Sequence, residues 1–322
     1  MTEPTEIVVK ATAADGSGVY GTWPMMIYPT EQDVPSATPT YRALVVVEPT
    51  DTKYGVLKRQ NDVDGMAAML RMQRFDGQAF ESVKVMHQTS ASQVLSAISN
   101  LASSANAADI TYFYFLGHGD TSGTLIFYDG SRISATDLKG ALDKIPGRVA
   151  VFLANCYSGY YVAGDSAANA VSTADLTDDT EITDVPPSAF TSSIISVFSK
   201  AADEVSIPLA QGCSVVSANI GELRKSKYYV LTASLYNEQS WYSYYQNDGV
   251  IDESISFDRF TRGVCDAGGL DSVTKTATWS GSKKVTLAQV YAEVAAYVKG
   301  FSDHQSSVQV YPTGSSFVIF QH

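Results

Sequence analysis

Two apolar runs, each closed by a glycine-containing turn, limit the folds that this chain can adopt. The first, Ile110–Leu116, precedes a Gly-His-Gly turn at residues 117–119, and the second, Val149–Ala154, precedes Asn-Cys-Tyr-Ser-Gly. Both have the length and the β-branched and aromatic content of buried strands. If they are neighbouring parallel strands, their carboxyl ends lie about 5 Å apart, at the edge where open α/β sheets bind ligands. The histidine and the cysteine of these turns, His118 and Cys156, would therefore meet there.

Strand-like and helix-like segments alternate in the first half of the chain. The predicted strands Arg42–Glu48 and Ser82–Met86 are each followed by a helix, capped by Asn61 and by Ser90 respectively. Ser134 is predicted to open a third helix, after a small hairpin and before the second apolar run. Regular alternation of this kind is typical of a mostly parallel sheet with helices on both faces. We therefore predict an α/β fold.

Two stretches interrupt this pattern and define the predicted domain organisation. Residues 1–40 hold the strand-like pieces Ile7–Lys10 and Met25–Tyr28 among Gly, Pro and Thr, and are interpreted as an N-terminal extension. The main domain is predicted to span residues 41–322, with an acidic insertion at about residues 160–199 that contains no Lys or Arg. The elements predicted beyond residue 187 are a helix near Ser188–Ala202, the strands Ser214–Ala218, Tyr228–Ser234, Val308–Tyr311 and Ser316–Phe320, and the helices Ser256–Ala267 and Thr286–Lys299.

The composition limits the partners of this chain. A hydrophobic fraction of 45% and a charged fraction of 17% are typical of a globular protein. The net charge of −12 argues against a nucleic-acid partner, because phosphates are bound by clustered Lys and Arg. No apolar stretch approaches the ~18 residues that span a bilayer, and the first residues lack the basic start and apolar centre of a signal peptide. We expect a soluble protein, and its Tyr-, Ser- and Thr-rich, Lys-poor composition slightly favours export.

Neither the cysteines nor the histidines form a metal-binding pattern. The three cysteines, Cys156, Cys213 and Cys265, are widely spaced without a Cys-x-x-Cys pair, and the four histidines are scattered. We therefore predict neither a structural metal nor a full disulfide framework. Calcium binding by the acidic insertion is the alternative, although the spacing of its carboxylates matches no calcium loop. The candidate ligands are Asp175, Asp178, Asp179 and Asp184.

His118 and Cys156 are candidates for nucleophilic catalysis. A free thiol has a pKa of about 8.5, so a nucleophilic cysteine needs a nearby imidazole or positive charge. Gly119 has no side chain, so its N–H can approach a substrate carbonyl closely, and the N–H of Cys156 lies beside the sulfur. These two amides are the candidate oxyanion hole. In the alternative interpretation, Cys156 is a small buried apolar residue and His118 is a hydrogen-bonded turn residue.

The turns around His118 and Cys156 resemble the His-Gly and Cys-x-Ser-Gly signatures of caspase-like cysteine peptidases (clan CD, caspase-hemoglobinase fold), a group that includes metacaspases, legumains and clostripains. The resemblance extends over about residues 41–240, with the strand at 43–46 and the helix starts in the expected order. It implies a caspase-like three-layer sandwich and peptide-bond hydrolysis by a Cys156–His118 dyad. It also implies that no cofactor is needed, with calcium the one exception in the group, and that Tyr228–Ser240 lines the primary specificity pocket.

The residues expected to select the substrate side chain before the cleaved bond, called P1, match the family less closely. In relatives that cut after Arg or Lys, the residue two before the cysteine is usually acidic, whereas this chain has Ala154. Glu238 and Asp120 are the nearest carboxylates by motif position, so we lean to a basic P1 residue, with Glu238 a solvated loop charge in the alternative. Tyr242 stands where caspases have an Asp-binding arginine, so cleavage after Asp is not expected. The predicted substrate-binding residues are Glu238, Asp120, Ala154, Ser234 and Trp241.

Together these residues predict a cysteine endopeptidase that hydrolyses peptide or protein substrates. The main alternative is a non-catalytic caspase-like interaction module with a closed pocket, and a third is acyl transfer by the same dyad to another acceptor. The acidic insertion is interpreted either as the activation linker of a self-processed zymogen or as a solvated flap. If a maturation cut follows a basic residue, the candidate sites are Lys144, Arg148, Lys200, Arg224, Lys225 and Lys227.

Overall fold

The computed structural model describes residues 5–12, 20–27, 38–52, 55–162, 227–247, 250–304 and 306–322, the first two ranges as backbone. The helices are α1 (Gln60–Met72), α2 (Ala91–Ser104), α3 (Ala135–Leu142), α4 (Arg259–Ala267) and α5 (Leu287–Lys299). The strands are β1 (Thr5–Thr12), β2 (Tyr20–Ile27), β3 (Tyr41–Val47), β4 (Thr50–Thr52), β5 (Gly55–Leu57), β6 (Ser82–His87), β7 (Ile110–Leu116), β8 (His118–Gly119), β9 (Leu125–Ile126), β10 (Arg132–Ile133), β11 (Arg148–Ala154), β12 (Tyr228–Thr232), β13 (Tyr242–Asn247), β14 (Val250–Asp258), β15 (Leu270–Asp271), β16 (Thr276–Ala277), β17 (Lys284–Thr286), β18 (Gln309–Tyr311) and β19 (Val318–Gln321).

Several predictions fall outside the described residues. These are the acidic insertion beyond Val162, the helix near Ser188–Ala202, the strand Ser214–Ala218, Cys213, and the processing sites Lys200, Arg224 and Lys225.

A six-stranded sheet forms the centre of the described structure, in the order β18-β12-β11-β7-β3-β6. The pairings from β12 through to β6 are parallel, and β18 joins β12 in the antiparallel sense. The inner strands β3 and β7 are buried along their whole length, as expected for strands that are covered on both faces. The prediction of a mostly parallel α/β sheet is confirmed.

Helices cover both faces of this sheet. On one face, Val45 and Tyr114 belong to an apolar cluster that includes residues of α1, α4 and α5. On the other face, Leu44 and Phe113 belong to a cluster that includes residues of α2 and α3. Successive residues of one strand point to opposite faces, so each of these strands contributes to both clusters. The predicted three-layer sandwich is confirmed.

The helix starts follow the predicted capping chemistry in most cases. Ser90 forms a reciprocal capping box with Gln93 at the start of α2, and Thr286 forms one with Gln289 at the start of α5. The side chain of Ser134 accepts the N–H of Asp137 at the start of α3.

Two of the predicted helix starts are wrong. Asn61 lies inside α1, and the residue at its N-terminal boundary is Arg59, which has a left-handed backbone (φ 61°) and no side-chain cap. The predicted helix Ser256–Ala267 begins later, because its first residues pair with β13 as the end of β14. Asp258 then caps α4 by accepting the N–H of Thr261 at 2.7 Å.

The N-terminal extension contains an antiparallel hairpin. β1 pairs with β2 from Thr5 opposite Ile27 to Thr12 opposite Tyr20, so both strands are longer than the pieces expected from the sequence. The division into an extension and a main domain that starts at residue 41 stays a prediction. Among the described residues, no helix combines the length and the apolar character needed to cross a membrane.

Replacing Ser90 with Ala should lower the free energy of unfolding by about 1 kcal/mol, because the N–H of Gln93 loses its acceptor at the start of α2. Urea denaturation followed by circular dichroism measures the change. The control is Ser96→Ala in the same helix, where the lost hydroxyl is exposed and donates to the carbonyl of Ser92. We expect the control to change stability by no more than about 0.5 kcal/mol. Equal losses in the two variants would contradict the capping role.

Candidate active site

His118 and Cys156 emerge at the same edge of the central sheet. Leu116 is the last residue of β7, Ala154 is the last residue of β11, and the two are paired in the parallel ladder. His118 and Cys156 each lie two residues beyond these paired strand ends. The two turns also touch, since a Cβ placed on Gly119 would lie 2.5 Å from the carbonyl oxygen of Cys156. Only glycine can occupy this position without displacing the neighbouring turn. Both candidate residues therefore lie at the same edge of the sheet, and their chemical roles stay predictions.

Cys156 is half-buried, and its turn is fixed to the segment before β13. Its Sγ lies 3.8 Å from the carbonyl oxygen and 3.9 Å from the hydroxyl of Ser240. The next residue, Tyr157, has a left-handed backbone, and its N–H donates to the carbonyl of Glu238 at 2.7 Å. Within the described ranges, no acceptor occupies the N–H of Cys156 itself. This amide is thus available to a group that approaches the sulfur.

The imidazole of His118 is held by a residue that sequence analysis did not single out. Its Nε2 is hydrogen-bonded to the hydroxyl of Thr50, the first residue of β4. Although His118 reaches solvent, partial desolvation lowers the pKa of its imidazole. The positive charge of Arg59 lowers this pKa further, and the carboxylate of Asp51 opposes the change. The imidazole is therefore neutral at neutral pH and can accept a proton.

Arg59 is a buried cation close to His118. The residue is 6% exposed, and its guanidinium carbon lies 5.5 Å from the centre of the Tyr242 ring. Its Nε and one terminal nitrogen are buried without a hydrogen-bond partner among the described residues. A buried donor without a partner costs about 1–3 kcal/mol or more when it is charged, so this guanidinium is suited to bind an acceptor from outside the chain.

Asp62 and Asp258 are buried carboxylates that are influenced by the charge of Arg59 and connect α1 to the β13–β14 pair. Asp62 accepts the hydroxyl of Tyr242 at 2.7 Å and the N–H of Asp258 at 2.9 Å. Desolvation and the nearby Asp258 raise the pKa of Asp62 to about 7. Desolvation also raises the pKa of Asp258 to about 6, against the hydrogen bonds that it accepts from Thr261. This cluster holds the start of α1 next to Tyr242 at the edge of the site.

A positional signal for Thr50, Arg59 and Asp62 was present in the sequence. All three lie in the segment that follows β3, and β3 neighbours β7 in the parallel sheet. Residues just beyond a carboxyl strand end of a parallel sheet belong to the ligand-binding edge. The rule that located His118 and Cys156 therefore also applies to this third loop.

The two carboxylates predicted to bind a basic P1 residue are engaged in contacts within the chain. Glu238 accepts the N–H of Ser307 at 2.7 Å and its hydroxyl at 3.1 Å. Asp120 accepts the N–H and the hydroxyl of Ser122 at 3.0 Å and 2.6 Å, and it lies 3.4 Å from Arg132. Each carboxylate therefore stabilises a loop in the described arrangement and would have to exchange partners to bind a ligand.

The other predicted substrate-binding residues differ in accessibility. Ala154 is buried at the end of β11. Ser234 is also buried, and its hydroxyl lies 3.3 Å from the N–H and the hydroxyl of Ser158, so it supports the cysteine turn from behind. Trp241 is half-buried, and its ring stacks on His304 with centroids 4.0 Å apart. Of these three residues, Trp241 is the one that can contact a substrate directly.

The described residues contain no group of three or more His, Cys, Asp or Glu side chains that could hold a metal ion. The carboxylates suggested as calcium ligands from the sequence, Asp175, Asp178, Asp179 and Asp184, lie outside the described ranges.

Replacing Asp62 with Asn should make stability less dependent on pH. Because the folded-state pKa of Asp62 is raised, its protonation stabilises the fold at low pH, and this contribution is lost as pH rises to about 7. The free energy of unfolding of the wild type, relative to Asp62→Asn, should fall by up to about 4 kcal/mol between about pH 4 and pH 8. Urea denaturation at several pH values measures this. The control is Asp64→Asn, at an exposed position of the same helix; parallel pH profiles of wild type and Asp62→Asn would contradict the prediction.

This chain is similar to one family model and to solved structures of other proteins. The caspase-domain model of the C14 peptidase family matches residues 50–226. Among solved structures, caspase-1 from Spodoptera frugiperda is similar with a TM-score of 0.47 and 11% identity, over 84% of this chain and 86% of that chain. A structural-genomics protein from Geobacter sulfurreducens is similar with a TM-score of 0.43 and 16% identity, over 84% of this chain and 93% of that chain.

A search of curated protein sequences found no match. The match to the family model nevertheless covers more than half of the 322 residues, and it begins at Thr50, before the helix α1, and includes both turns of the candidate site. The chain therefore belongs to the caspase-domain family of cysteine peptidases.

Proposed function

We propose that this protein is a cysteine endopeptidase in which Cys156 is the nucleophile and His118 the general base. The main support for the proposal is that β7 and β11 end at paired residues. The turn with the thiol and the turn with the imidazole are therefore in contact, at the edge where parallel sheets bind ligands. Membership of the caspase-domain family supports the same chemistry. The half-buried thiol of one turn and the neutral imidazole of the adjoining turn are the nucleophile and the base that this catalysis requires.

The residues of the site can carry out each step of hydrolysis. The thiol of Cys156 passes its proton to His118 while the sulfur bonds to the scissile carbonyl carbon, and the negative charge that develops on the carbonyl oxygen is stabilised by the amides of Gly119 and Cys156. When the carbon–nitrogen bond breaks, the leaving amine takes the proton from His118. Water then attacks the thioester, and its proton returns through His118 to restore the free thiol.

An extended substrate would lie against residues 238–242. The part of this segment that precedes β13 belongs to none of the described strands, and it contains Ser240 next to the sulfur and Trp241 at the surface. The backbone N–H and carbonyl of Glu238 and the carbonyl of Trp241 already have partners, and the remaining backbone groups of the segment could pair with a peptide as an added strand. The Tyr157–Glu238 hydrogen bond fixes this segment relative to Cys156. A peptide bound to the segment would therefore have its scissile bond positioned relative to the sulfur.

The P1 preference depends on which charge near the site is free to bind a side chain. The carboxylates of Glu238 and Asp120 already have partners, whereas the guanidinium of Arg59 has buried nitrogens without a partner among the described residues. This difference favours an acidic or amide P1 side chain, in contrast to the expectation from Tyr242 in the sequence that cleavage after Asp does not occur. The preference for Arg or Lys at P1 that the sequence suggested stays a prediction. It would require the carboxylate of Glu238 or of Asp120 to leave its present partners.

Cleavage of a peptide library varied at P1, by wild type and by Cys156→Ala, tests the proposal. We expect cleavage by the wild type and a loss on the order of 10⁴-fold or more in the variant. The matched control is Cys265→Ala, which removes a buried thiol far from solvent and should leave the rate within a few-fold. A preference for Asp, Glu, Asn or Gln at P1 would support the role of Arg59, and a preference for Arg or Lys would overturn it.

The alternative of a non-catalytic interaction module makes a different prediction in an alkylation experiment. In the proposed enzyme, iodoacetamide modifies Cys156 much faster than Cys265, because burial raises the pKa of the Cys265 thiol far above its usual range. Equal, slow modification of both thiols, together with no cleavage of any library peptide, would favour the module instead.

The pH profile of kcat/KM should report His118. Activity is expected to fall on the acid side at a lower pH than an ordinary imidazole would give, because the pKa of the His118 imidazole is lowered. Asp51 is exposed and raises this pKa, so Asp51→Asn should shift the acid limb to still lower pH. Glu293→Gln, which removes an exposed carboxylate from α5, is the matched control and should leave the limb in place. A shift to higher pH in Asp51→Asn would exclude His118 as the group responsible.

A further inference from the structure

Thr50 contacts the imidazole of His118 from a position that is fixed by its neighbours. It is 7% exposed and begins the β4–β5 hairpin, in which it pairs with the buried Leu57. The backbone just before it is fixed to the strand that leads to the histidine, because the N–H of Glu48 donates to the carbonyl of Leu116 at 2.8 Å. The hydroxyl of Thr50 is therefore presented to His118 Nε2 by two anchored segments.

This contact bears on which ring nitrogen of His118 carries the proton. A neutral imidazole has one N–H and one nitrogen with a lone pair, and the hydrogen bond made by one nitrogen decides the state of the other. If Nε2–H donates to the hydroxyl of Thr50, the lone pair resides on Nδ1 and can accept the thiol proton of Cys156. If the hydroxyl donates to Nε2 instead, Nδ1 carries the proton and cannot act as the base.

We propose that Thr50 is a positioning residue for His118, whose hydroxyl accepts Nε2–H and selects the tautomer with Nδ1 free to act on Cys156. The inference rests on the proposed peptidase function and deepens it, because it names the group that orients the general base. The hydroxyl of Thr50 is hydrogen-bonded to the histidine, so its contribution acts through the imidazole. Asp51, the adjacent carboxylate, is exposed and affects His118 through its charge.

Two substitutions separate the hydroxyl from the shape of the side chain. Thr50→Val keeps the β-branched shape that suits β4 but removes the acceptor, and Thr50→Ser keeps the acceptor and removes a methyl group. Thr52→Val is the matched control, because Thr52 lies in the same strand and its hydroxyl donates to the carbonyl of Gly55, the first residue of β5.

Nitrogen-15 NMR of the histidine side chains at neutral pH reads the tautomer directly. The protein has four histidines, and the signals lost in His118→Gln identify this ring. We expect the Nε2–H tautomer in the wild type, in Thr50→Ser and in Thr52→Val, and a mixture of tautomers in Thr50→Val. An Nδ1–H tautomer in the wild type, or an unchanged tautomer in Thr50→Val, would overturn the proposal.

The reactivity of Cys156 provides a second readout that needs no substrate. Thr50→Val should slow alkylation of Cys156 by iodoacetamide at neutral pH by about 10- to 100-fold, a part of what a positioned general base contributes. Thr50→Ser should recover most of the rate, and Thr52→Val should match the wild type. In peptide cleavage, the loss in Thr50→Val should appear in kcat with little change in KM. Equal alkylation rates in Thr50→Val and wild type would overturn the positioning role.

The failure of this inference can be told apart from the failure of the proposed function. Peptide cleavage that Thr50→Val leaves unchanged would remove the role of Thr50 and keep the peptidase. The Nε2–H tautomer and a Thr50-dependent thiol reactivity, without cleavage of any library peptide, would keep the role of Thr50 and remove the peptidase.

Discussion

The parallel pairing of β7 with β11 is the constraint on which the rest of the site depends. The ladder runs from Ile110 opposite Arg148 to Leu116 opposite Ala154, so the two strands end at the same level. A slip of one residue would turn every side chain of a strand to the opposite face, which the separate apolar clusters on the two faces of the sheet do not allow. The packing of the core therefore fixes the strand register and with it the distance between the two turns. The chemistry at the edge of the sheet thus depends on apolar contacts in the core.

Next to this apolar core, the site contains three charged groups whose burial lowers the stability of the fold. Arg59, Asp62 and Asp258 are each at least nine-tenths buried, and both carboxylates have raised pKa values. Raised pKa values that arise from burial beside a cleft are typical of functional positions, although structural networks also produce them. Here the hydrogen bonds of Asp62 to Tyr242 and to the backbone of Asp258 join α1 to the wall of the site. The cluster thus positions a cation at the edge at some expense of stability.

Sequence reasoning predicted the elements whose signals are local and repeated. The apolar strands, the helix cap at Ser90 and the alternation of strand and helix depend on residues close together in the chain, and the structure confirms them. Asn61 was a wrong choice of cap, because Arg59 adopts a left-handed backbone that no residue pattern indicated. The partners of Glu238 and Thr50 lie about 70 positions away in the chain, and such contacts have no local signal. The fold was therefore largely predictable, whereas the detailed electrostatics of the site were not.

Glu238 joins the cysteine turn to the loop after α5. Its carbonyl accepts the N–H of Tyr157, next to the nucleophile, and its carboxylate holds Ser307 in the loop after α5. Trp241 and His304 stack across the same two segments. A displacement of His304 or Ser307 would therefore pull on the turn that carries the thiol. Divergence in this loop among related chains would alter the reactivity of the cysteine without changing any residue that touches it.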